Sequence, residues 1–512
     1  MDSHAKLYKN AGKEAESSRR RRTEQTVELR RQKRGQDLNK RRNIDINAEY
    51  ESETTDNDKD KKFEPKMTIA EAKQLLLNNP DQATLRNVFE ALRRMLSRTT
   101  NPPIDEVVNE GLVVALVQGL SVEDDQVQYE AAWALTNVVS GTQAHTVAAA
   151  NAGATKAFIQ RASNSNDALA EQCFWGLANI VGDSAVLRDH AIECGIIPLM
   201  MSFVERVHGL SISFARTLAW IASNLSRHKD PQISLDLVSQ VLPAIKYLLM
   251  CKDETVRQDT CWALSYLTDC GDAQLHLIMK YPLLDEVRAL LQTGSNNMMA
   301  PAVRVFGNFV SGNDKITQTI IDTGILGDEL PQILNHASVS VVKEACWLLS
   351  NILAGTENQI KAVIDANVMP MVLQHLRHGD FKVQSEAAWA VGNLCHSGNA
   401  HQVYYLVELD FWECVVPVLN IRHVEFLQNV LHSCRAVLNA ISVSHPERLE
   451  EHKQRFEELG GVDFVEDLQN HTDNRIYELS YDIISGFFQD EGDDDTDAQF
   501  APMDPLESNF KF

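Results

Sequence analysis

From Met67 to Gln489 the apolar residues of this chain recur at helical spacing. In Glu130-Ala-Ala-Trp-Ala-Leu-Thr-Asn137-Val-Val-Ser-Gly141, turning about 100° per residue puts Ala131, Leu135 and Val138 on one stripe. Trp133, Asn137, Glu130 and Ser140 fall on the other face. The window predicts an amphipathic helix whose tryptophan lies opposite the core. The same pair returns as Trp175 with Asn179, Trp220 with Asn224, Trp347 with Asn351 and Trp389 with Asn393. Successive tryptophans from Trp133 to Trp262 stand 42, 45 and 42 residues apart; Trp347 follows after 85, two periods, and Trp389 after 42. Midway through the long gap, Pro301-Ala-Val-Arg304-Val-Phe-Gly-Asn308 aligns with Glu386-Ala-Ala-Trp389-Ala-Val-Gly-Asn393, so one repeat carries Arg in place of Trp.

A second landmark keeps step with the first: Gly111, Gly153, Gly195, Gln240, Gly324, Asn367 and Asp410 each open a further run of helical spacing. A period near 42 with two or three helices and no alternating strand signature lies in the armadillo or HEAT range. Counting outwards predicts about ten units over 67–489. The expected fold is therefore all-α, a helical solenoid.

Composition fits such a chain: 512 residues, 44% hydrophobic and 23% charged, enough to bury a long core. No apolar stretch reaches the roughly 20 residues a membrane helix needs, and the first ten residues are polar, so a cytosolic or nuclear protein is expected. Nine cysteines without a Cys-x-x-Cys pair read as buried thiols. No phosphate loop, His-Glu-x-x-His or Gly-x-Ser-x-Gly motif occurs, which argues against an enzyme, and no cofactor or metal is expected.

Charge divides the chain further. Residues 1–43 hold 14 Lys and Arg against six acids, +8, so the rest carries -31 of the total -23. The basic residues cluster as Arg19, Arg20, Arg21 and Arg22, then Arg30, Arg31, Lys33 and Arg34, then Lys40, Arg41 and Arg42. A basic arm of this kind suits nucleic acid, an acidic partner or its own acidic body. No aromatic stands between Tyr8 and Tyr50 to stack on bases, and the body repels phosphate. Residues 44–66 read as a flexible acidic linker and 490–512 as a solvated acidic tail.

Five Trp/Asn pairs facing away from an aliphatic stripe are not ordinary core packing. Stacked repeats would align them as a ladder. Asn pairs with both N–H and C=O of an extended peptide, while indole faces attract cations and cover Lys and Arg stems. At roughly 3.3 Å per residue each repeat should meet about three ligand residues. Asp183, Asp259, Glu344 and Glu386 supply counter-charge, so the expected ligand is a short, extended, basic peptide. Tyr266 in place of Asn after Trp262, and Arg304 in place of Trp, split the groove into a longer and a shorter site.

With these features the whole chain resembles the importin alpha family of nuclear import adaptors: basic importin-beta-binding arm (1–43), acidic linker (44–66), armadillo solenoid (67–489), acidic tail (490–512), and a Trp/Asn array interrupted at Tyr266 and Arg304. The resemblance implies a right-handed superhelix of about ten armadillo repeats that binds nuclear localization signals of cargo proteins. It implies a major site of Trp133, Asn137, Gly141, Thr146, Gln172, Trp175, Asn179, Asp183, Trp220, Asn224 and Asp259. The implied minor site is Arg304, Asn308, Asp314, Glu344, Trp347, Ser350, Asn351, Glu386, Trp389 and Asn393. Implied partners are cargo, importin beta for the arm, and an export receptor of the CAS type for the C-terminal region; nucleic acid and membrane are not expected. Shuttling between cytoplasm and nucleus follows from the same resemblance; self-inhibition follows from the charge split, which tethers the Lys40-Arg41-Arg42 cluster to an acidic groove, and the resemblance implies it too.

Overall fold

The computed structural model describes residues 40–43 and 67–489. The arm's clusters at Arg19–Arg22 and Arg30–Arg34, the linker and the tail lie outside the described residues. Among the described residues every regular element is helical. No described helix is long and apolar enough to cross a membrane.

Ten units follow one another. The first pairs Ile69–Leu77 with Gln82–Leu96; the second shows the full three-helix form, Ile104–Asn109, Leu112–Gly119 and Asp125–Val139. The last helix of each unit recurs as Asp167–Asp183, Ile212–Ser226, Glu254–Thr268, Asn296–Phe309, Val339–Leu353, Phe381–Ser397, Val424–Ser444 and Asn474–Ile483. Each packs on the next, so these ten helices form one continuous layer, here called the ladder.

Local chemistry explains the helix boundaries. Asp124, Asn166, Ser211, Asp253 and Asp380 cap ladder helices by accepting backbone N–H groups of their first turns. The middle helices start where the chain turns through the left-handed region, at Gly111 (φ 74°), Gly153 (φ 90°) and Gly195 (φ 96°). Asn367 (φ 51°) and Asp410 (φ 55°) make the same turn with residues that tolerate it.

Gln240 corrects the expected pattern. It lies inside one continuous helix, Leu235–Leu249, because the turn is lost where neither Gly, Asn nor Asp supplies it. Pro243, inside that helix, has no N–H for the Ser239 carbonyl; the Tyr281 hydroxyl from the next unit donates to it at 3.2 Å.

The aliphatic stripes merge into a core running the length of the solenoid. Cys173, Cys261, Cys346 and Cys434 are wholly buried in it, and burial pushes their thiols above the ordinary range.

Candidate functional site

The ladder asparagines are set in place before any ligand arrives. Asn137, Asn179, Asn224, Asn308, Asn351 and Asn393 are all buried. Each gives one Nδ2 hydrogen to the preceding ladder helix: Asn179 to the Thr136 carbonyl at 3.3 Å, Asn224 to Ala178 at 3.0 Å, Asn308 to Ser265 at 2.8 Å, Asn351 to Gly307 at 3.5 Å, and Asn393 to Ser350. Asn137 reaches the Ser97 hydroxyl at 3.0 Å. These bonds stitch repeats together and fix each amide's orientation, which spares a ligand the cost of ordering it.

Residues 40–43 lie along the first part of the ladder. Asn43 N–H donates to Asn137 Oδ1 at 2.8 Å, and its carbonyl accepts from Asn137 Nδ2 at 2.9 Å and Trp133 Nε1 at 3.0 Å. Arg41 repeats this one unit on: its N–H donates to Asn179 Oδ1 at 2.7 Å, and its carbonyl accepts from Asn179 Nδ2 and Trp175 Nε1, both at 2.9 Å. The segment runs opposite to the order of the repeats. Three ligand residues per repeat is therefore corrected to two. In an extended chain, residues i and i+2 turn their N–H and C=O to the same side, so equivalent asparagines engage every second residue.

Side chains occupy distinct slots. The Lys40 ammonium donates to the Gly141 carbonyl at 3.0 Å and Thr146 Oγ1 at 2.6 Å, and pairs with the buried carboxylate of Asp183. The Arg41 guanidinium lies 4.4 Å from the Trp220 ring centroid and 3.5 Å from Asp259 Oδ2. Arg42 donates to the Thr99 carbonyl at 2.6 Å, and Asn43 Nδ2 to Gln172 Oε1 at 3.0 Å. Trp133 and Trp175 remain half-buried; Trp220 is buried.

The second half of the ladder differs. Trp220 packs within the aliphatic core, which corrects its expected position opposite it, whereas Trp347 is wholly buried outside that core. A helical wheel sees one helix, whereas here the Arg304 guanidinium sits 4.5 Å over the indole and the neighbouring helix backs it at Gly307. Arg304 also pairs with Glu344 at 2.7 Å. Glu344, expected as a counter-charge, thus meets one cation of the protein itself. Asn308 Oδ1, Asn351 Oδ1 and Trp347 Nε1 are buried without a partner among the described residues. Ser350 is buried and gives its hydroxyl hydrogen to the Trp347 carbonyl at 2.8 Å; Glu386 is buried, Trp389 half-buried and Asp314 exposed at the start of Asp314–Asp322.

Four residues escaped the sequence reading. Arg93 and Arg435 occupy the tryptophan position of their own repeats, four before Ser97 and Asn439. Arg93 repeats the Arg304 arrangement, pairing with Glu130 at 2.7 Å and lying 4.9 Å over Trp133; Arg435 repeats only the ion pair, with a half-exposed Asp482. An acid three residues before a ladder position is thus held internally wherever the preceding repeat carries Arg. Where the preceding repeat carries Trp220, Asp259 instead meets Arg41. Burial, with Arg435 beside it, pushes His432 down to about 4, so that position adds no charge. Gly312 and Thr317 have the spacing of Gly141 and Thr146, and Thr317 donates to the Val310 carbonyl at 3.3 Å as Thr146 does to Val139 at 3.2 Å. Arg93 stands 40 residues before Trp133 and Arg435 46 after Trp389, so the period marks them only approximately; Gly312 and Thr317 follow Arg304 by the 8 and 13 residues that separate Gly141 and Thr146 from Trp133.

A Cβ on Gly307 would stand 2.1 Å from the Trp347 ring, a rigid neighbour. Gly307→Ala is expected to destabilise the protein by ~1–3 kcal/mol, read by chemical denaturation, and to raise Trp347 emission exposure.

Comparison with known proteins places these features. The model described as importin beta binding domain matches residues 4–94. The armadillo/beta-catenin-like repeat matches 100–140, 230–269, 313–354 and 356–396, and an atypical Arm repeat matches 450–502. An engineered protein of known crystal structure shares the fold, with TM-score 0.70 at 22% identity over 81% of this chain and 98% of its own. Importin subunit alpha-1a of Oryza sativa subsp. japonica is 34% identical, covering 94% of this chain and 91% of its own. Importin subunit alpha-2 of Caenorhabditis elegans is 40% identical over 510 residues, 99% of this chain and 96% of its own. Similarity of that extent, over a solenoid with this Trp/Asn ladder, makes the chain a member of the importin alpha family.

Proposed function

We propose that the ladder from Trp133 to Asp259 is the principal seat for the basic signal of a cargo protein, and that Lys40–Asn43 occupies it as an internal competitor. The chain is a nuclear import adaptor, binding importin beta through its arm and signal-bearing cargo through its armadillo repeats. Its family consists of transport adaptors, not enzymes.

The carrying observation is the way Asn137 and Asn179 hold alternate residues by main-chain N–H and C=O. Such pairing accepts any extended peptide, while the slots choose its side chains: lysine at Gly141, Thr146 and Asp183, arginine at Trp220 and Asp259. Asn224 extends the register by one repeat. A second, shorter seat is read at Asn308, Trp347, Asn351, Glu386, Trp389 and Asn393, with Asp314, Ser350 and the Gly312/Thr317 slot beside it. Its support is that Asn308 Oδ1, Asn351 Oδ1 and Trp347 Nε1 are the same atoms that grip main chain in the first seat. Arg304, held by Glu344, separates the two.

The clusters at Arg19–Arg22, Arg30, Arg31, Lys33, Arg34 and Lys40–Arg42 are assigned to importin beta, with 44–66 as tether and 490–512 as tail. The last repeat and tail are assigned to an export receptor that returns the adaptor from nucleus to cytoplasm. Calorimetry with one- and two-cluster basic peptides, on chain carrying Lys40, Arg41 and Arg42 changed to Ala, tests the groove. A two-cluster peptide with a linker of about ten residues should bind more tightly than either cluster, because tethering gives an effective concentration on the order of millimolar. Glu386→Arg should remove that gain and spare one-cluster binding; a gain that survives it would reject the second seat.

A further inference from the structure

We propose that His145 is a positioning residue for the lysine slot, a two-ended clamp that holds the Gly141 carbonyl and the Thr146 hydroxyl where an ammonium needs them. This rests on the reading above that the slot takes a ligand's lysine.

His145 stands in the first turn of the helix Gln143–Asn151, between the two neutral acceptors of Lys40: Gly141 in the short link from Asp125–Val139, and Thr146 in the same helix. It is buried, and touches neither ligand nor groove carboxylate through any described bond. Its Nδ1 accepts the Thr142 N–H at 3.1 Å, so the neutral ring carries its proton on Nε2, which meets Asp105 Oδ1 at 2.7 Å. One end therefore fixes the first residue of the turn; the other ties it to the first turn of Ile104–Asn109 in the preceding repeat. The imidazole also fills the space beside Gly141: a Cβ there would stand 2.4 Å from Nδ1. Thr146 follows directly, and its hydroxyl is turned by the Val139 and Thr142 carbonyls, each at 3.2 Å.

Two other repeats build the same clamp from glutamine. Gln359 accepts the Thr356 N–H at 3.1 Å and donates to the Asp314 carbonyl at 2.9 Å; Gln402 accepts the Asn399 N–H at 3.2 Å and donates to the Glu357 carbonyl at 2.8 Å. In both, the donated bond ends on the first turn of the preceding repeat's first helix. His145 reproduces one acceptor and one donor at that distance, with a carboxylate in place of a carbonyl. An ammonium held by a neutral carbonyl and a hydroxyl depends on their placement, since neither attracts it over distance as Asp183 does.

The test uses the full chain with Lys40, Arg41 and Arg42 changed to Ala, and two synthetic peptides of the sequence of residues 38–45, one native and one with alanine for its lysine. Calorimetry should give the native peptide an advantage of about 10-fold or more, typical of a charge-assisted contact. Adding His145→Leu should cut that advantage to about twofold while the alanine peptide binds as before, and His145→Gln, which keeps both bonds, should restore it to within about threefold. Asp105→Ala removes one end through an exposed side chain, so it keeps the test open if His145→Leu does not fold; it should lower the advantage about threefold. Equal weakening of both peptides by His145→Leu, an advantage that no variant alters, or no rescue by Gln overturns the clamp. An advantage missing before His145 is changed overturns the lysine slot itself, a separate failure.

Discussion

Asp183→Lys is expected to abolish binding of a one-cluster basic peptide, with affinity falling ~100-fold or more. The carboxylate it replaces is buried, and a ligand ammonium shares it with only two neutral acceptors, Gly141 and Thr146. Removing one partner of a desolvated charge pair costs about 2–5 kcal/mol, and reversing its sign adds repulsion at the same place. Asn179→Ala and Trp175→Ala remove neutral main-chain bonds and an indole wall, so each should cost a smaller ~1–3 kcal/mol. Asn179→Ala should also loosen the joint to Thr136, which Trp175→Ala leaves intact. Calorimetry with a lysine-bearing peptide ranks the three. Affinity unchanged in Asp183→Lys removes Asp183 from the site.

Much of this was legible because a solenoid is nearly one-dimensional. A residue type that returns every 42 positions marks the same place in each repeat, so Trp133 to Trp389 and their asparagines disclosed the ladder without coordinates. The helix entries at Gly111, Gly153 and Gly195 were legible for the same reason, and Gln240 misled because a landmark identified by position need not keep its conformation. Arg93, Arg435, Gly312 and Thr317 were hidden only by the absence of a tryptophan flag. Other features have no sequence period. The bond from Asn179 to Thr136, the closure of Trp347 by Arg304, and the choice of every second ligand residue depend on how neighbouring helices meet. The tie from His145 to Asp105 spans 40 residues between unlike side chains and leaves no mark in the pattern.

Changing Lys40, Arg41 and Arg42 to Ala should tighten cargo-peptide binding about 100-fold in the full chain. The three side chains supply the Asp183 pair, the stack on Trp220 and the bond to Thr99, so their loss leaves the segment only its main-chain bonds and the Asn43 amide, which any extended peptide can displace. Only the 23 residues 44–66 separate it from the solenoid, and a tether of that length gives an effective concentration near 1 mM. Against an assumed intrinsic dissociation constant of about 10 μM for a single cluster, the groove should be self-occupied about 99% of the time, and apparent cargo affinity should fall about 100-fold. Importin beta, by taking the arm, should return the full chain to the affinity of the altered one, coupling cargo loading to carrier binding. The comparison is cargo-peptide affinity for the full chain alone, the full chain with importin beta, residues 67–512, and the triple-alanine form. Tightening in the last three locates the switch at this cluster. Equal affinity in all four means that Lys40–Asn43, though seated in the groove, does not compete for it.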